Sequence, residues 1–255
     1  MNGWQESLRR RGSQPPLRER VPLALGKPAC IVGSIEPALA QRLADAGLPL
    51  TPSGRLWCVV GEGDVSLASI AHWLHDNGLA ARWRGELLAV ADEHGEVHGA
   101  IERAAVRPLG ITTRAVHLIG RLADDRVWVQ QRALDKATDP GLWDTLMGGL
   151  MAFGETVEST LERETWEEAG LRTGALRKIT PRPRITVRRP VSEGYMVEHI
   201  EVFDALVPDD LEPVNQDGEV ARFDCITRDE LVARLRADTF TLEAALILAG
   251  WLPST

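Results

Sequence analysis

Three carboxylates, Glu164, Glu167 and Glu168, are spaced by steps of three and four in the stretch GETVESTLERETWEEAGL, residues 154–171. Such steps put side chains on one flank of a helix within a single turn. Thr156 is a natural N-cap and Gly170 a natural left-handed stop. Val157, Leu161, Thr165 and Ala169 recur every four residues and should supply much of the buried stripe. The three acids therefore fall in the last turns, where the helix dipole is already negative and each loses about 0.3–1 kcal/mol. Glu155–Glu158, Glu158–Glu162, Glu164–Glu167 and Glu164–Glu168 repel, and only Arg163–Glu167 attracts. At about 0.2–0.5 kcal/mol per pair the balance is roughly one kcal/mol unfavourable. The plain reading is a solvated acidic face. Crowding at the disfavoured end points instead to a hard divalent cation, since carboxylates suit Mg²⁺, Mn²⁺ or Ca²⁺. Mg²⁺ shares its shell with substrate phosphate oxygens, which directs attention to phosphate chemistry.

Groups that could hold a phosphate follow from position. Arg132 ends a strand and Lys136 lies in the loop after it; each is either a phosphate ligand or a solvated strand end. Trp143, after a DPG turn, either stacks on a heteroaromatic ring or packs in the core. Residues 172–189 carry Arg172, Arg177, Lys178, Arg182, Arg184, Arg188 and Arg189. Strand alternation puts Arg184, Thr186 and Arg188 on one face and Ile185 and Val187 on the other. That basic run would attract a diphosphate, or serve as an exposed face or a contact between two copies of the chain. His72 and His75 are three apart on a helix but lack further zinc ligands. His117 alternates within a strand and should be packed, and Tyr195 falls in a turn between two strands.

These groups need a scaffold. The chain has 255 residues, 44% of them hydrophobic and 26% charged, with a net charge of −8. That is globular composition, and the negative balance argues against nucleic acid as a partner. Cys30, Cys58 and Cys225 form neither a disulfide framework nor a zinc pattern and read as buried, reduced thiols of a cytoplasmic protein. No stretch is apolar enough to be a secretory signal or a membrane span. Residues 1–20 are basic and read as a loose arm or a docked irregular segment. A small α+β unit follows, with helices at 36–46 and 64–77, the second capped by Asp64. Its strands are RLWCVV and a hairpin around EHG, and it closes near the RPLG joint at 107–110. The division is then 1–106 and 107–255. Beyond the joint come strands at 113–122 and 126–134, a Gly/Pro/Asp-rich loop and the acidic helix. Strands at 184–191, 196–206 and 219–226 follow, then a helix capped by Thr227 and a terminal helix at 241–252.

Extended leftward, the acidic stretch has a fixed spacing: Gly149, five residues, Glu155, seven residues, then RETWEEAGL from Arg163 to Leu171. This resembles the Nudix box, the signature of hydrolases that cut a diphosphate linked to another moiety. Only Thr165 departs, where the family usually has an aliphatic residue; it lies on the buried stripe and should bear on packing. The resemblance implies a Nudix α/β/α sandwich with a mixed sheet, here preceded by a small α+β domain, so an α+β chain overall. It implies that Glu164, Glu167 and Glu168 hold Mg²⁺ or Mn²⁺ with help from the Gly149 carbonyl. Glu155 and Arg163 would pair to brace the loop against the helix. Water would attack phosphorus, and the general base would be Glu164 or the downstream Glu219, with Asp217 close behind.

A narrower resemblance covers roughly residues 112–252. The segments TRAVHLIGR, KATDPGLWDTLMGG, NQDGEV and FTLEAALILAGWL are similar to the Nudix domain fused to thiamine pyrophosphokinase and its stand-alone relatives. It implies hydrolysis of thiamine diphosphate, or its oxidised forms, to the monophosphate and phosphate. The rivals are a nucleoside-diphosphate or ADP-ribose hydrolase, isopentenyl diphosphate isomerase, and a binding module without catalysis. The isomerase needs a cysteine beside the site, and none lies in the loop before the box. The expected partner is a small diphosphate, with no nucleic acid or membrane, and a homodimer is left open.

Overall fold

The computed structural model describes residues 3–26 and 28–253. Helix α1 (Gly3–Arg11) comes first, then hairpin β1 (Val21–Leu25) and β2 (Cys30–Ile35), α2 (Pro37–Asp45), β3 (Leu50–Ser53), β4 (Leu56–Val59) and α3 (Gly63–Asp76). A second hairpin, β5 (Leu87–Ala91) and β6 (Val97–Glu102), ends this part. Strands β1–β4 form a sheet in the order β2-β1-β4-β3, and β5–β6 stand apart as their own two-stranded sheet. Leu23, Ile35, Leu43, Leu67, Ile70 and Leu74 are fully buried among these elements and make one core.

The second core is built on one sheet. Its elements are β7 (Thr112–Arg121), β8 (Val127–Arg132), β9 (Trp143–Asp144), β10 (Met147–Leu150), α4 (Val157–Ala169), β11 (Arg177–Val191), β12 (Gly194–Leu206), β13 (Val220–Ile226), α5 (Arg228–Arg236) and α6 (Leu242–Trp251). The order is β11-β12-β7-β8-β13, with β10 pairing β7 and β9 pairing β8. Strand β12 runs parallel to β7 while β11 runs antiparallel to β12, so the sheet is mixed. Alternation sorts its two faces. Ala115, Ile119, Val129 and Ile200 pack with Leu235, Ile247 and Leu248 of α5 and α6. Val116, Leu118 and Ala205 pack with Leu161 and Ala169 of α4. The expected α/β/α sandwich is present, with the preceding α+β region.

Three expectations need correction. The N-terminal segment is docked rather than loose, but it is helical and not irregular: α1 places Leu8, 4% exposed, in the core beside α6. Gln14 N donates to Arg188 O and Arg188 N to Gly12 O, so this segment also borders β11. A helix of nine residues with three arginines has little stability of its own; docking supplies it. Asp64 does not cap α3. Glu62 holds the cap position, and the Asp64 carboxylate accepts from Ala100 N of β6. The three cysteines are free, but none is fully buried.

The segment at 107–110 is stitched to both sides: Ser34 N donates to Leu109 O and Tyr195 N to Arg107 O. The run at 172–189 is strand from Arg177, earlier than its alternation suggested. Among the described residues no helix is long and apolar enough to cross a membrane.

Candidate active site

Helix α4 starts where the sequence places it. The Thr156 hydroxyl accepts from Ser159 N, and Ser159 Oγ accepts from Thr156 N in return. Its end is held in two ways. Gly170 adopts φ +63°, and the loop before β13 reaches back, with Val214 N donating to Ala169 O and Gln216 N to Glu167 O. Open carbonyls at a helix terminus need such partners. These bonds also bring Asp217 and Glu219 beside the box acids.

Arg163 is the hub. Its Nε and Nη2 donate to the two Glu155 oxygens at 2.6 and 2.8 Å. Its Nη1 donates to Glu164 Oε1 at 2.7 Å and Glu167 Oε2 at 3.0 Å, and Nη2 also reaches Leu150 O. The guanidinium fork holds the loop before the helix to the helix itself, the pairing that the resemblance to the Nudix box implies. Arg163, with Ala152 N and Thr160 Oγ1 also donating, holds Glu155 down to about 2.

Glu164 and Glu168 are buried and Glu167 is half-buried. Gly149 sits against Glu164 so closely that a Cβ at this position would overlap its carboxyl group. Gly148 N donates to Glu168 Oε2 at 2.9 Å and Gln130 Nε2 donates to the same oxygen at 2.8 Å. Burial pushes Glu164 up to about 7 despite Arg163. Burial, then the charge of Glu164, pushes Glu168 up as well. Two carboxylates forced together out of water call for a compensating positive charge. The donor set is oxygen only, which fits a hard divalent cation. Arg163 Nη1 holds one oxygen each of Glu164 and Glu167, and the three acids do not all close to within 4.8 Å of one another.

The other predicted residues divide. Lys136 Nζ pairs with Glu219 Oε2. Burial works to raise the Glu219 carboxyl, but Lys136 outweighs it and holds it below the usual range. Arg132 donates to Thr138 O and lies 3.7 Å from Asp144, and its charge also bears on Glu219. Lys136, Arg132 and Glu219 thus form a basic-edged group facing the box. Burial raises Asp217, whose carboxylate accepts from Glu219 N and so shapes the turn. Trp143 is 7% exposed in the core, with the Arg234 and Arg222 guanidinium carbons 4.5 and 5.1 Å from its ring centroid. That ring has its neighbours already. His117 is buried with Nδ1 2.9 Å from Thr145 Oγ1, and burial lowers its pKa. Tyr195 is not in the turn, which is 192–193, but is the second residue of β12; its hydroxyl donates to Gln14 O and ties that strand to the N-terminal segment. In the basic run, Arg184 pairs with Glu201 and Arg189 with Glu243.

Two residues were missed. Gln130 orients Glu168, and its Oε1 is buried without a partner among the described residues. A glutamine pointing inward from a strand was the available signal. Arg103, just after β6, pairs with Glu86 at 2.7 Å and adds positive charge near Glu219. Nothing local in the sequence marks it, because it reaches the site through the docking of the β5–β6 hairpin. Phe153 N, in the box loop, donates to Leu87 O of β5.

The NUDIX domain model matches residues 111–246. Nudix hydrolase 20, chloroplastic, of Arabidopsis thaliana is 27% identical over 179 residues, 69% of this chain and 48% of that protein. Isopentenyl-diphosphate Delta-isomerase of Streptomyces coelicolor is 31% identical over 169 residues, 66% of this chain and 84% of that protein. The crystal structure of DR0079 from Deinococcus radiodurans superposes with a TM-score of 0.50 at 25% identity, covering 61% of this chain and 92% of that one. The chain spans about half the length of the Arabidopsis and Saccharomyces cerevisiae relatives that it matches. With the box residues assembled on α4 and the mixed sheet behind them, the family match covers more than half of the sequence, and the chain belongs to the NUDIX domain family.

Proposed function

We propose that the chain hydrolyses a diphosphate linkage with Mg²⁺ or Mn²⁺, with residues 107–255 carrying the chemistry and the preceding region as an accessory unit. The observation that carries this reading is the pair of buried acids, Glu164 and Glu168, pressed together against Gly148 and Gly149. Glu164, Glu167 and Glu168, with the Gly149 carbonyl, would hold the cation. When bound, it activates water and neutralises charge developing on the phosphoryl oxygens.

The chain's own groups do the rest. Lys136 and Arg132 take the substrate phosphates, and Glu219 holds Lys136 in place until substrate arrives. Glu164 and the downstream Glu219 are the two groups placed to accept the proton of the attacking water. Glu219 stays paired with Lys136 until substrate takes that lysine. The substrate is thiamine diphosphate or its oxidised forms, cleaved to the monophosphate and phosphate. That assignment rests on the likeness of residues 112–252 to the domain fused to thiamine pyrophosphokinase. The unbridged thiols support a reducing, cytoplasmic setting.

The likeness to an isopentenyl-diphosphate isomerase is the observation behind a second reading. Against it, Cys30 and Cys58 lie in the first sheet, and Cys225 lies in β13, paired across to Trp128. The test is release of phosphate or monophosphate from purified protein with Mg²⁺. The panel is thiamine diphosphate, oxidised thiamine diphosphates, ADP-ribose, nucleoside diphosphates and isopentenyl diphosphate. Turnover of a thiamine diphosphate that Glu168→Gln abolishes is the expected result. Double-bond migration in isopentenyl diphosphate without phosphate release would establish the isomerase. A folded, metal-loaded protein inactive on the whole panel would favour a binding module.

A further inference from the structure

Far from the box in sequence, a thiol, a carboxylate and an imidazole meet. The ligand atoms of Cys30, Asp92 and His98 all lie within 4.8 Å of one another, and each residue is half-buried. The folding of two hairpins brings them together. Cys30 begins β2 directly opposite Leu25 of β1. The Leu25 side chain lies 3.8 Å from the Cβ position at Gly99 and 3.9 Å from that at Gly63. The end of the β1–β2 hairpin therefore presses on β6 next to His98. Asp92 closes β5, and its Oδ1 accepts from His94 N at 2.9 Å and Glu96 N at 3.0 Å. That turn fixes the carboxylate and aims Oδ2 at His98 Nε2, 2.9 Å away.

We propose that Cys30, Asp92 and His98 bind a zinc ion, separate from the cation of the box. Thiolate, imidazole and carboxylate together are a zinc donor set, whereas Mg²⁺ takes oxygen. With Cys30 and Asp92 ionised and His98 neutral, a divalent ion makes the site neutral overall, which a half-buried position favours. Zinc–ligand bonds of about 2.0–2.3 Å put tetrahedral ligands roughly 3.3–3.6 Å apart. The Asp92–His98 contact must open by about half an ångström, within the reach of side-chain rotation. Three protein ligands leave a fourth position for water or another ligand. The ion would clip the β1–β2 sheet to the β5–β6 sheet, which share no strand pairing. The cysteine and histidine spacing hides this site, because Asp92 lies 62 positions after Cys30.

The test uses the full chain stripped with a chelator. One equivalent of Co²⁺ should give a thiolate-to-cobalt charge-transfer band, which the all-oxygen box cannot produce. The band should vanish in Cys30→Ser and His98→Gln and persist in Cys58→Ser and Glu168→Gln. Independently of any variant, micromolar Zn²⁺ should protect Cys30, but neither Cys58 nor Cys225, from alkylation mapped by mass spectrometry. Mg²⁺ should not protect it. Absence of the band in the wild type, its survival in Cys30→Ser, or alkylation of Cys30 at an unchanged rate with Zn²⁺ would each overturn the proposal. The last measurement decides even if Cys30→Ser fails to fold.

Discussion

Glu168 concentrates the conflict between stability and chemistry in one side chain. It is 3% exposed, beside Glu164, and accepts from Gly148 N and Gln130. Glu168→Gln removes a buried charge while keeping the shape. We expect turnover with Mg²⁺ to fall at least about a hundredfold, as when a group that stabilises transition-state charge is lost. The metal-free variant should melt as high as the wild type or higher; a lower melting temperature would show that the acid is structural. The pH dependence follows from the same group and its neighbours. Glu164 has a folded pKa near 7 against 4.5 when exposed, so the folded state binds more protons across that interval. Its stabilising contribution is complete below pH 4.5 and is lost as pH rises through about 7. Glu155 works the other way: from 4.5 it is drawn down to about 2, so its contribution is full above pH 4.5 and lost toward pH 2. Metal-free protein should therefore melt progressively lower from about pH 5 to pH 8, and saturating Mg²⁺ should remove most of that slope. A thermal scan across pH with and without Mg²⁺ checks this, and an equal slope in Glu164→Gln would sink it.

At the scale of elements, α4 and its end decide where the acids stand. Gly170 has φ +63°, and a Cβ there would lie 2.5 Å from Val214 O, a backbone atom that cannot swing away. Gly170→Ala should cost about 1–2 kcal/mol through the left-handed residue. It should also push off the loop whose N–H groups cover Glu167 O and Ala169 O. Because that loop carries Glu219 and so sets Lys136, we expect KM for the diphosphate to rise more than kcat falls. Steady-state kinetics would show it, and an unchanged KM would separate the loop from substrate binding. The helix and both its ends were legible because each depends on spacing within one short stretch, whereas the Glu155–Arg163 pair was an expectation of the Nudix-box resemblance. Gln130 was not, since its partner Glu168 lies 38 residues away on another element. Asp64 was misread for a related reason: a local rule makes it a cap, but Ala100 N from β6 claims its carboxylate. Trp143 showed its burial only once the two arginines packed over its ring. Local chemistry is readable from a sequence; which distant strand supplies the second partner is not.

Across the whole molecule, the chain's beginning helps to hold its end. Helix α1 lays Leu8 against α6, Gly12 approaches Leu246 so closely that a Cβ would stand 2.6 Å from its Cδ1, and Arg11 pairs with Asp238 at 2.7 Å. The Arg11–Asp238 pair is exposed and contributes little. The apolar contact carries the docking, since Leu8 is buried among α6 residues such as Ala244, Ile247 and Leu248. Truncating a buried leucine to alanine costs about 2–5 kcal/mol, set by the lost methyl groups and the cavity left behind. At roughly 2–4 °C per kcal/mol for a chain of this size, Leu8→Ala should lower the melting temperature by about 4–20 °C. Arg11→Ala should shift it by less than about 2 °C. The box lies on the opposite face of the sheet, among the residues packed with α4, so kcat below the transition should be unchanged in both variants. Excision of residues 107–255 alone should behave worse than Leu8→Ala, because it uncovers the whole α6 face and also removes the Gln14 and Arg188 strand contact. A fragment that melted as high as the full chain, without forming oligomers that bury α6 again, would show that the N-terminal helix only rests on the domain.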